Sequence, residues 1–179
     1  MHAQIQAVRR IAILGAESSG KSSLAEALAT QYQTLWVPEY LREFVETHKR
    51  VPVDGDQFHI ASTQVAREDA AALLARGLLF CDTTPLMTAI YSHFYFKQAD
   101  APLKALTQAR TYDFTIVTAP DLPWTPDGLQ RESEEMRQKV HEELLRELQQ
   151  RAIPYLLVDG DMQHRMSQVQ AALAALDIC

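Results

Sequence analysis

Near the N-terminus the chain reads Gly15-Ala16-Glu17-Ser18-Ser19-Gly20-Lys21-Ser22, which fills the spacing G-x-x-x-x-G-K-S at every required position. Together these residue types suit one task, the holding of polyphosphate. The glycines open backbone angles closed to other residues, so that successive N–H groups can turn toward an anion. A helix beginning at Gly20 adds its positive end. In such a cradle the backbone around Gly15, Ser18, Ser19, Gly20 and Ser23 wraps the phosphates of a nucleotide. Lys21 reaches the outer phosphates and the Ser22 hydroxyl takes Mg2+. The side chains of Glu17, Ser18 and Ser19 are free to face water while their backbone binds.

Three kinds of nucleotide-binding protein share this cradle: switch GTPases, motor-like ATPases and small-molecule kinases. Guanine recognition through N-K-x-D is excluded, because the chain has no asparagine, and D-x-x-G is absent too. A chain of 179 residues leaves little room for the second acidic strand end and the ring contacts of a large ATPase. A kinase for a small acceptor, using ATP, fits best. It needs a base at the acceptor hydroxyl, positive groups over the moving phosphoryl and a segment that excludes water.

Candidates for each part can be named. Asp82 ends an apolar run, where a carboxylate can share Mg2+ with Ser22; the alternative is a helix-capping aspartate. Glu39, after Val37-Pro38, either accepts the hydroxyl proton or starts an exposed helix. Arg42 binds phosphate or pairs with Glu39 or Glu46 on one helix face. Tyr91 and Tyr95 stand four apart, as core residues or as the wall of an acceptor pocket. Gln64 either presents its amide to an acceptor or faces solvent. Residues 121–130 are irregular and precede a helix with Arg131, Arg137 and Lys139 near its start. That suits a short lid over residues 121–139, or a solvated surface helix. Trp124, between Pro123 and Thr125-Pro126, either stacks on a flat ring or packs against the sheet edge.

The elements that must position these groups follow from the apolar pattern. Short, continuously apolar runs end at Gly15, Val37, Cys81, Val117 and Val158, and they alternate with helical stripes. One stripe carries Leu24 and Leu28, another Ile60, Val65, Leu73 and Leu74. A third carries Met136, Val140, Leu144 and Leu148, and the last Met162, Met166, Val169, Leu173 and Leu176. Residues 86–96 read as a further, aromatic helix. Buried strands joined by helical crossovers predict a five-stranded parallel α/β sheet covered on both faces, as one domain over residues 1–179.

Composition narrows the partners. Seventeen basic against 23 acidic side chains leave a net charge of −6, which argues against a broad nucleic-acid surface. The apolar stretches fall far short of the ~20 residues a bilayer span requires. No signal peptide is expected at Met1–Arg10, and Cys81 and Cys179 have no metal or redox spacing, so a cytoplasmic location is expected. Oligomeric state is left open.

Five segments taken together resemble a known family: GAESSGKSS (15–23), VPEYLREF (37–44), the Gln64–Glu68 helix, FCDTTPLMT (80–88) and TAPDLPWTPDGLQR (118–131). They are similar, over almost the whole chain, to the ribosylnicotinamide kinase domain of the NadR type, a branch of the P-loop nucleoside kinases. The resemblance implies a three-layer P-loop NTPase fold and transfer of the ATP γ-phosphate to the ribose 5′-hydroxyl of nicotinamide riboside, giving nicotinamide mononucleotide. It implies ATP contacts at Gly20, Lys21 and Ser22, and acidic groups near metal and acceptor at Glu39 and Asp82, with Tyr40 and Arg42 on the acceptor side. Trp124 and Asp127 would lie over the riboside, and residues from Gly160 to Arg165 beside the adenine. Gln130 stands where the family's D-G-x-R carries arginine, so Arg131 is expected to act on the phosphoryl group. The adenylyltransferase and DNA-binding modules of larger members are not expected, since H-x-G-H is absent. The alternatives are a kinase for another nucleoside or hydroxylated metabolite, or an ATP-binding regulatory module with little turnover.

Overall fold

Arg9–Leu14 forms strand β1, and its side chains alternate between two cores because successive residues point to opposite faces of a sheet. Ile11 and Ile13 pack on one side, Ala12 and Leu14 on the other, all at most 2% exposed. The computed structural model describes residues 7–125 and 133–178. Within them the chain continues through α1 (Lys21–Gln31), β2 (Leu35–Val37), α2 (Tyr40–His48), a short 3-10 turn at Asp54–Asp56 and α3 (Gln57–Ala72). Then follow β3 (Leu78–Asp82), α4 (Pro85–Phe96), α5 (Ala101–Ala109), β4 (Phe114–Thr118), α6 (Glu134–Gln150), β5 (Leu156–Val158) and α7 (Met162–Ala175).

All five strands are parallel, in the order β2-β3-β1-β4-β5. Leu24 and Leu28 of α1 join Val169 and Leu173 of α7 on one face, against Ile11, Ile13, Phe80 and Ile116. Leu86, Met87 and Ile90 of α4 join Val140, Leu144 and Leu148 of α6 on the other, against Ala12, Leu14 and Val117. The result is the expected three-layer α/β arrangement. No helix among the described residues is long and apolar enough to cross a membrane.

Two helices went unread in the sequence as elements of their own. Helix α5 is short, starts at an aspartate cap (Asp100 accepts from Leu103 N–H at 2.8 Å) and carries a proline in its first turn. Helix α2 appeared in the sequence only as an alternative. Its one fully buried residue is Phe44, too few for a periodic stripe.

On α3, Glu68 is fully buried. Arg110 grips it at 2.7 Å and the Tyr112 hydroxyl donates to it at 2.9 Å. Burial raises the Glu68 carboxyl above its ordinary range, against the pull of Arg110 and Tyr112.

Candidate active site

The parallel strands bring their carboxyl ends to one edge, and every designated acidic or cradle residue that the structure describes lies along it. Residues 15–20 leave β1 and turn into α1, with Gly20 as the N-cap at φ 84°, the left-handed region open to glycine. Gly15 is required by close approach. A Cβ there would stand 2.1 Å from Thr118 Oγ1 and 2.7 Å from Ser19 Oγ. Ser19 does not face water as its sequence reading allowed. It is fully buried, its hydroxyl donating to Ala16 O at 2.6 Å and sharing a 2.7 Å hydrogen bond with the Thr118 hydroxyl. Ser18 is half-buried and donates from Oγ to Thr125 O at 2.9 Å at the surface. Lys21 Nζ donates to Ala16 O at 2.9 Å, which keeps the ammonium over the loop. Ser23 is exposed on the first turn of α1.

Ser22 and Asp82, 60 residues apart in sequence, meet at the tips of neighbouring strands. The Ser22 hydroxyl donates to Asp82 Oδ2 at 2.5 Å, and Asp82 is fully buried at the end of β3. A hydroxyl and a carboxylate are hard oxygen donors. Two such ligands, completed by phosphate oxygens and water, suit Mg2+ in a nucleotide site.

Beside this pair opens a small cleft lined by Glu39, Leu41, Gln57, Ile60, Gln64, Thr83, Thr88 and Tyr91. Three expected acceptor residues, Glu39, Gln64 and Tyr91, are thus brought together. Gln64 does not face solvent: it lines the cleft and is also held by the backbone. It is 4% exposed, accepts from Tyr40 N–H at 2.8 Å and donates to the Asp82 carbonyl at 3.2 Å. Its amide ties the start of α2 to the end of β3, and so sets Glu39 relative to Asp82. Tyr40 does not line the cleft. Its ring packs edge-on against Phe44 and His59, beneath Arg67 at 4.6 Å. Arg42 lies exposed on α2, outside the cleft lining. Tyr95 stacks on Tyr91, centroids 6.2 Å apart, and is itself 45% exposed.

Trp124 is half-buried, with Nε1 enclosed and without a hydrogen-bond partner among the described residues. It neighbours Thr125, whose carbonyl accepts from Ser18, and it is not part of the cleft lining. Asp127 and Arg131 lie outside the described residues. Arg165, expected beside the adenine, is 1% exposed and fully engaged with protein. It donates from Nε to Gly160 O at 2.9 Å, from Nη1 to Ser19 O at 2.5 Å and from Nη2 to Ala119 O at 3.2 Å, and it pairs with Asp121. Burial alone would raise the Asp121 carboxyl. The Gly160 N–H bond, at 2.6 Å, and the Arg165 charge outweigh burial and hold it below its ordinary range.

Sequence reasoning missed Thr118 and underrated Arg137. Thr118 closes β4 against the cradle, and nothing local marks it. Arg137 was one basic residue among several on a Glu-rich helix. It is 3% exposed, and its Nη1 donates to Leu122 O at 2.8 Å and Ser18 O at 3.2 Å.

A family model described as AAA domain matches residues 10–165. The chain belongs to this family. It is also homologous to the trifunctional NAD biosynthesis/regulator protein NadR of Salmonella typhimurium, with 31% identity over 149 residues. That match covers 79% of this chain and 35% of NadR, so the chain spans about a third of its curated relative's length. Among solved structures, NadR protein in complex with NR superposes with a TM-score of 0.79 at 22% identity, over 92% of this chain and 51% of that one. Thymidylate kinase from Candida albicans gives 0.71 at 15% identity, over 96% and 93%. This member of the AAA-domain family therefore carries the fold of the P-loop kinases.

Proposed function

We propose that the chain is a single-domain, Mg2+- and ATP-dependent kinase that phosphorylates the ribose 5′-hydroxyl of nicotinamide riboside, giving nicotinamide mononucleotide. The observation that carries the reading is the placement of Glu39 in a cleft beside the Ser22–Asp82 pair, at the edge where the cradle opens. The likeness to a relative named for NAD biosynthesis, and to a structure holding NR, supports this choice of acceptor.

The acceptor enters the cleft between Glu39 and Tyr91 with its hydroxyl toward the cradle. The backbone of residues 15–22 and the Lys21 ammonium hold the triphosphate and neutralise charge on its outer phosphates. Ser22 and Asp82 would hold Mg2+, which when bound offsets phosphate charge. The Glu39 carboxylate takes the proton as the hydroxyl oxygen bonds to the γ-phosphorus. The bond from that phosphorus to the β–γ bridging oxygen breaks, and ADP leaves with its electron pair.

The test is purified protein with ATP, Mg2+ and a panel of nucleosides, with products separated by mass. Conversion of nicotinamide riboside should exceed that of the others, and Lys21→Ala should remove most of it. Glu39→Gln should lower kcat with little change in the KM for ATP. A rise confined to the acceptor KM would make Glu39 a binding group and overturn its role as base. Preferential phosphorylation of another nucleoside would overturn the acceptor assignment.

A further inference from the structure

Two buried arginines from separate elements grip consecutive carbonyls of the cradle. Arg137 of α6 donates to Ser18 O at 3.2 Å, and Arg165 of α7 donates to Ser19 O at 2.5 Å. Each guanidinium is held from behind. Arg137 pairs with Glu134 at 2.8 Å and also donates to Leu122 O; Arg165 pairs with Asp121 and also donates to Gly160 O and Ala119 O. At 3% and 1% exposure neither side chain offers a face to a ligand.

A trans peptide is planar, so its C=O and the next residue's N–H point in opposite directions. A carbonyl pinned outward therefore aims the following N–H inward. The peptides concerned are strained and need such a hold, because Ser18 sits at φ 53°, a region costly for a residue with a side chain. A flip of peptide 18–19 or 19–20 would turn a carbonyl oxygen toward an anion. We propose that Arg137 and Arg165 are positioning residues of the cradle: by fixing the Ser18 and Ser19 carbonyls outward, they aim the N–H groups of Ser19 and Gly20 at the nucleotide's phosphates. This deepens the phosphate-cradle part of the functional reading and does not depend on the acceptor.

Arg137→Met and Arg165→Met test it. Methionine keeps an unbranched apolar chain and removes the donors. The acidic partners are not left as buried charges, since the Glu134 and Asp121 side chains are 52% and 36% exposed and can rehydrate. ADP titrated by calorimetry should bind about tenfold more weakly or worse to each variant, the scale of a disturbed hydrogen bond to a charged group. In 15N–1H spectra, the Ser19 and Gly20 amides of the parent should shift strongly with ADP, and less in the variants. Arg137→Lys should recover only part of the affinity, because an ammonium on the two carbonyls cannot also make the Nε and Nη2 bonds to Glu134 that orient the guanidinium. ADP affinity within twofold of the parent in a variant with normal melting would overturn the proposal. So would full recovery by lysine, which would show that charge alone matters. Should both methionine variants fail to fold, the parent spectrum still decides: silent Ser19 and Gly20 amides sink the idea, and a strong ADP shift supports it. A parent that binds ADP normally but phosphorylates no riboside would sink the acceptor reading and leave this one standing.

Discussion

Replacing Gln64 by leucine separates a tether from a substrate reader. Leucine approximates the volume but makes neither hydrogen bond. Two backbone groups then lose their partner: Tyr40 N–H, bonded at 2.8 Å, and the Asp82 carbonyl, bonded at 3.2 Å. Asp82 is fully buried, so its carbonyl bears most of the desolvation penalty, about 2 kcal/mol; half-buried Tyr40 can partly rehydrate, at about 1 kcal/mol. The sum, about 3 kcal/mol, corresponds to a fall in melting temperature of roughly 6–12 °C for a chain of this size. Freed from β3, the start of α2 should let Glu39 drift, raising the acceptor KM several-fold and lowering kcat, with the ATP KM within about twofold. Gln64→Glu keeps the acceptor for Tyr40 N–H and loses the donor, so it should retain only part of the lost stability. Calorimetry and steady-state kinetics with each substrate varied would measure all of this. An unchanged melting temperature together with a selective loss of acceptor binding would refute the tether and restore Gln64 as a group that reads the acceptor.

Other consequences follow from single contacts. Asp82→Asn keeps the bond to Ser22 but removes the charge offered to Mg2+; Mg2+-dependent turnover should fall by at least ~100-fold while metal-free ADP binding changes little. Gly15→Ala should weaken both folding and nucleotide binding, because its Cβ would collide with Thr118, whereas Gly55→Ala, with nothing within 4 Å, should be near neutral in the same melt. Arg110→Met should cost about 3–5 kcal/mol in urea unfolding by removing the ion-pair partner of buried Glu68, yet leave kcat at permissive temperature unchanged. Asp56, hydrogen-bonded by Arg50, is held down from 3.8 to about 2. A depressed carboxyl contributes stability above its unfolded value and loses it as pH falls through the folded one. Asp56→Asn should therefore flatten the decline in stability between about pH 4 and pH 2.

Local chemistry is why so much was readable beforehand. The cradle is contiguous, and each of its residues is chosen for a backbone angle or an atom that acts within the same turn. Strand-end carboxylates are readable too: a parallel sheet buries its strands on both faces, so an acid at the end of an apolar run must sit at the edge. Ser22, Asp82, Glu39 and the five strands follow from such reasoning. Contacts between distant segments are different. Gln64 looked like a free amide until folding set it 2.8 Å from Tyr40 N–H, and Tyr40 looked like a ligand until its ring packed under Arg67. Arg137 lay 119 residues from the carbonyl it holds, among solvated neighbours of the same charge pattern, and Arg165 lay 146 residues from its own. Residue type and spacing determine which atoms can bind phosphate. Which side chains hold those atoms in place depends on packing across the sheet, and no local pattern records it.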